Sequence, residues 1–137
     1  MVSVKSLAAA SLAALPMTSA WFTNLEVPSA ATAGQKVTAT LTAGIYIQNW
    51  DDFGIVWGLA PESINCGNQI CVGTKIQYTP LYPDNVPKPG KFPVDVTIPA
   101  GFTPGTYKLF AAVPYLVGAS GMTQIQTWNS TITVLAA

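Results

Sequence analysis

Apolar and polar positions alternate with a period of two along most of this chain. In residues 35–43 (QKVTATLTA) Val37, Ala39 and Leu41 fall on one side and Thr38, Thr40 and Thr42 on the other, as a strand with a single buried face requires. Phe53, Ile55, Trp57 and Leu59 repeat the pattern, as do Phe92, Val94, Val96 and Ile98, and then Tyr107, Leu109, Ala111 and Val113. Weaker strands are expected at 22–27, 75–81 and 124–134. Eleven glycines and eleven prolines punctuate the chain, and almost nothing after Trp21 has helical period. About seven short antiparallel strands with turn signals between them predict an all-β, two-sheet sandwich.

The stretch GFTPGTYKLFAAV, residues 101–113, narrows the topology. In immunoglobulin-like sandwiches a tyrosine near the start of the sixth strand turns its hydroxyl back onto the backbone, and that strand's core residue lies two positions later. Pro104-Gly105 supplies the corner, Tyr107 fills it and Leu109 takes the core position. Counting back, Leu41 is expected as the partner core residue and Trp57 as the buried tryptophan. Leucines stand where such domains often carry cysteines, so the sandwich is expected without an inter-sheet disulfide.

The first twenty residues have the architecture of a signal peptide. Lys5 precedes a short apolar stretch from Leu7 to Leu15, followed by Pro16 and the small residues Thr18-Ser19-Ala20. The apolar stretch is far short of the ~20 residues needed to cross a bilayer. Cleavage before Trp21 leaves residues 21–137 as one secreted domain, large enough for a core of its own. Within it Cys66 and Cys71 (CGNQIC) are expected to pair as a local disulfide, the reading favoured in a secreted chain, with Gly67-Asn68 making the turn.

Charge and composition remove several classes of function. Five lysines face six acids in residues 21–137, and the chain has no histidine. A domain near neutrality without clustered cations is a poor ligand for nucleic acid or an anionic membrane. Without histidine the usual general base and the commonest nitrogen ligand for zinc or copper are missing. The one acidic pair, Asp51-Asp52, is of a kind that can bind calcium or work on glycosides, but neighbours in a strand face opposite sides and no third acid stands close. It reads as a pair of solvated loop charges. No cofactor, no metal and no enzymatic activity are expected. Asn129-Ser130-Thr131 is an N-glycosylation sequon in the last strand, to be used only if Asn129 faces solvent.

Two connections stand out. In this kind of sandwich the loops at 44–52 and 114–122 emerge at one end, and both are apolar. They bring Tyr46, Ile47, Asn49, Trp50, Asp51 and Asp52 beside Tyr115, Leu116 and Val117. Aromatic anchors with a polar rim concentrate energy at protein interfaces. Either the loops cover one another as a cap on the sandwich, or they wait for a partner. An alternative occupant is a cell-wall carbohydrate, stacked on Tyr46, Trp50 and Tyr115.

The segments YIQNWDDFGIVWGL (46–59), TPLYPDNVP (79–87) and VPYLVGASG (113–121) resemble the necrosis-inducing secreted proteins of filamentous fungi. The resemblance implies a secreted effector that binds receptor-associated kinases of a host plant, suppresses pattern-triggered immune signalling and provokes cell death, with no enzymatic activity. It carries no residue roles with it. Action inside host cells would expose the protein to a reducing cytosol, where a fold with Leu41 and Leu109 in its centre would lose only the Cys66–Cys71 clip.

Overall fold

A computed structural model describes residues 20–45 and 50–137; the signal segment, except Ala20, and Tyr46, Ile47 and Asn49 lie outside the described residues. The described chain forms nine strands: β1 (Ala20–Glu26), β2 (Ala30–Thr32), β3 (Lys36–Ile45), β4 (Trp50–Asp52), β5 (Gly54–Pro61), β6 (Thr74–Pro80), β7 (Gly90–Thr97), β8 (Gly105–Val117) and β9 (Met122–Leu135). A three-stranded sheet in the order β1-β3-β7 packs on a sheet in the order β2-β9-β8-β5-β6, with β4 added against β8. All pairings are antiparallel except that of β2 with β9. The expected two-sheet sandwich is present, with β2 and β4 in addition to the seven strands legible in the sequence.

The alternating residues meet between the sheets. Val37, Ala39 and Leu41 of β3 and Val94 and Val96 of β7 pack in one cluster with Ile55, Trp57 and Leu59 of β5, Leu109, Ala111 and Val113 of β8, and Ile132 and Val134 of β9. Leu41, Trp57 and Leu109 are fully buried, so dispersion and hydrophobic burial hold the sheets together where related sandwiches use a disulfide. The Trp57 indole donates from Nε1 to Thr79 Oγ1 at 3.0 Å, which satisfies the one polar atom its burial would otherwise strand. In β1 the register shifts between Phe22 and Asn24. The extra residue lets both Phe22 and Leu25 reach the core despite their odd spacing.

The corner forms as expected. Tyr107 Oη donates to the Thr103 carbonyl at 2.7 Å, and its ring meets Phe102 edge-on with centroids 5.6 Å apart. Replacing Tyr107 by Phe deletes that hydrogen bond and should lower stability by ~1 kcal/mol. Chemical denaturation measures this, and an unchanged midpoint would show that the bond contributes nothing.

Cys66 and Cys71 are disulfide-bonded. The segment between β5 and β6 that carries them folds back over the outer face of the larger sheet, where Ile64, Cys66 and Cys71 line a cleft with Lys108, Phe110 and Asn129. Gly58 permits this close approach, because a Cβ there would run into the backbone carbonyl and side chain of Val72. Gly58→Ala is therefore expected to cost about 1–3 kcal/mol by overpacking, read from the unfolding midpoint.

Candidate functional site

The end of the sandwich singled out in the sequence is built from strands, not from two open loops. β8 continues to Val117 and β9 starts at Met122, joined by a tight turn over 118–121 in which Gly118 and Gly121 take φ of 75° and 67°. β4 lies along the end of β8, pairing Trp50 with Val117, Asp51 with Leu116 and Asp52 with Tyr115. Pro114 sits inside β8, opposite the break between β4 and β5. There Phe53 donates its N–H to the Pro114 carbonyl at 3.0 Å, and the donor that proline lacks is not called on.

This pairing sends alternate side chains inward and outward. Trp50, Tyr115 and Val117 form a second buried cluster, separate from the main core, with Trp21 packed against it. The Trp50 and Tyr115 rings stack with centroids 4.1 Å apart and planes 8° from parallel, and Trp21 meets Trp50 edge-on at 5.5 Å. Tyr115 Oη donates to Gln124 Oε1 at 2.8 Å. Trp50 is 5% exposed and Tyr115 6%, so of the two alternatives the covering one holds for these residues, and they form no open aromatic patch. Each ring covers the other, and neither offers a platform on which a pyranose could stack.

The acidic pair divides between the two faces. Asp51 is half-buried on the outer side, whereas Asp52 is 6% exposed, contrary to its reading as a solvated charge. Trp50 Nε1 donates to Asp52 Oδ1 at 2.7 Å, and Oδ2 is buried with no hydrogen-bond partner. Desolvation pushes the Asp52 carboxyl up to about 6; the Trp50 hydrogen bond opposes this and the nearby Asp51 charge adds to it. Among the described residues no group of three or more histidine, cysteine, aspartate or glutamate side chains is placed to hold a metal ion.

The exposed apolar surface lies elsewhere. On the outer face of the larger sheet, Val56, Ala112, Pro114 and Leu116 are half-buried or buried, and Tyr78 and Ile125 stand about half-exposed on the flanking strands. Tyr78 lies across Gly54, where a Cβ would collide with its ring. The charges on this face are Asp51, opposite Leu116 at the end of β8, and Lys75 and Lys108, opposite Gly58 and Ala60 of β5 towards the other end. Asn129, the sequon residue, is exposed on the same face at the rim of the disulfide-lined cleft. Period-two alternation does pick out these outward residues, but it gives no sign that they form a continuous surface, because that depends on the order in which the strands pair.

The sequence matches the model of the Nis1 family over residues 18–133. Necrosis-inducing secreted protein 1 of Colletotrichum higginsianum (strain IMI 349063) is 33% identical over 107 residues, covering 78% of this chain and 73% of that protein. The protein of the same name from Colletotrichum orbiculare (strain 104-T) is 29% identical over 127 residues, covering 93% of this chain and 76% of its own length. Among solved structures, a point variant of the superoxide reductase (neelaredoxin) from Ignicoccus hospitalis superimposes with a TM-score of 0.50 at 11% identity, over 91% of this chain and 86% of that one. At such low identity this is a likeness of fold.

Proposed function

Starting from the fact that this chain belongs to the Nis1 family, we propose that it is a secreted fungal effector that binds a receptor-associated kinase of a host plant, suppresses pattern-triggered immunity and induces necrosis. It acts by stoichiometric protein binding and not by catalysis. The observation that carries the binding mode is the apolar, sparsely charged outer face around Val56, Pro114 and Leu116, with Tyr78 and Ile125 exposed at its flanks. An apolar surface with charges at its margin matches the composition of the centre of a protein interface. The buried stack of Trp50 on Tyr115 supports this surface from behind by fixing the end of β8.

The test is a pull-down from plant extract with the folded domain and a Tyr78→Ala, Leu116→Lys variant, in parallel with retention on chitin and β-glucan. Capture of a receptor-associated kinase by the wild type, lost in the variant at an unchanged melting temperature, supports the proposal. Retention on either glycan without kinase capture would favour the carbohydrate-binding alternative.

A further inference from the structure

Among the described residues most sheet edges carry a device that discourages pairing with another chain, and β2, an edge strand itself, is only three residues long. β1 ends in Glu26 and is bulged, β7 contains Lys91, Pro93 and Asp95, and β6 contains Lys75 and ends in Pro80. β9 has none of these. Its fourteen residues, MTQIQTWNSTITVL, contain no charge and no proline, and its register with β8 runs unbroken from Val134 to Met122.

The hydrogen bonds of β9 show which of its groups have no partner among the described residues. On its outer edge β2 pairs only with Thr133, Val134 and Leu135. There Thr133 donates its N–H to the Ser29 carbonyl, and the Leu135 carbonyl accepts from Ala33, at 2.9 and 3.0 Å. Backbone groups that point away from β8 thus belong to the odd-numbered residues. Because the register is unbroken, the amides and carbonyls of Thr123, Ile125, Thr127, Asn129 and Thr131 also point outward, beyond the reach of β2. All five residues are exposed.

We propose that this open stretch of β9 pairs antiparallel with the same stretch of a second copy of the chain, giving a two-fold dimer in which the two larger sheets become one. Pairing about Gln126 sets Thr123 against Asn129 and Ile125 against Thr127, so the outward N–H and carbonyl groups of these four residues meet one another, and Thr131, which falls opposite Gly121, stays outside the ladder. The strand is electrically self-complementary because neither copy brings a charge to the seam, and a closed isologous contact needs no other partner.

The test uses unglycosylated, disulfide-intact protein made in bacteria. Sedimentation equilibrium over a range of concentrations should show a monomer–dimer equilibrium. Amide exchange at Thr123, Ile125, Thr127 and Asn129, which is fast in the monomer, should slow as the concentration rises. Thr127→Pro removes only an outward donor and leaves the β8 ladder intact, and Thr127→Lys brings two ammonium groups close to the axis. Each should weaken dimerisation by roughly tenfold or more; the lysine variant keeps the test sound if the proline variant fails to fold. A wild type that stays monomeric, a dimer indifferent to Thr127→Lys, or a monomer that instead takes up only an extended foreign peptide would overturn the proposal.

Discussion

Trp50→Ala should destabilise the domain by about 3–5 kcal/mol, a loss in the range of buried core aromatics. The substitution empties the centre of the second cluster. It removes the face on which Tyr115 stacks, the edge contact with Trp21 and the donor to Asp52. Tyr115→Ala should cost a comparable amount, and the two losses should not add, because the stacked pair itself is worth about 0.5–1.5 kcal/mol beyond its area. Equilibrium denaturation of both single variants and the double variant measures each quantity. A loss below ~1 kcal/mol for Trp50→Ala would mean that its ring is held at the surface, as exposed side chains are.

Asp52 gives the second large effect, and it depends on pH. Its carboxyl is raised from 3.8 to about 6 in the folded protein, so the folded state holds this proton more tightly than the unfolded chain does. The associated stability is fully present below pH 3.8, declines as pH rises towards 6, and is gone above it; the shift corresponds to about 3 kcal/mol. The domain is therefore expected to gain stability from this group on acidification from neutrality. Asp52→Asn keeps an acceptor for Trp50 Nε1 and abolishes the titration. Its stability should lose about 3 kcal/mol of pH dependence between roughly pH 4 and 7 relative to the wild type, which melting curves across that range would record. Parallel curves for the two proteins would show that Asp52 ionises as freely in the folded state as in the unfolded chain.

The frame of the molecule is legible in the sequence because its strands each bury one face. The alternation in β3, β5, β7 and β8 places Leu41, Trp57 and Leu109 in the core, and the corner residue Tyr107 fixes the chain order. What escapes a sequence reading are features that depend on pairing. β2 is three residues long and is held by β9, so no local period marks it. The end of β8 resembles a loop because Pro114 and the glycines beyond Val117 usually interrupt strands. Only the neighbouring break at Phe53, which places Pro114 where no donor is needed, allows β8 to continue. Asp52 has the look of a solvated charge because its burial comes from Trp50 and Tyr115, whose stacking becomes possible only once β4 lies along β8.

The same point governs the candidate site. Sequence spacing brings Trp50, Asp52 and Tyr115 to one end of the sandwich, and the structure places them there, turned inward as a small core. The surface proposed for a partner is the reverse side of the same strands, running from Leu116, opposite Asp51, past Pro114 to Ala112, Val56 and Tyr78.

The measurement that tests this division most directly is calorimetric titration of a receptor-associated kinase domain from a host plant with three proteins: the wild type, the outer-face variant Tyr78→Ala, Leu116→Lys, and the tip variant Tyr115→Phe, which keeps the stacked ring. The outer-face variant should bind at least roughly tenfold more weakly while Tyr115→Phe binds as the wild type does, in keeping with the concentration of binding energy in a few interface residues. Equal affinity for the wild type and the outer-face variant, with the loss appearing in Tyr115→Phe, would contradict the account.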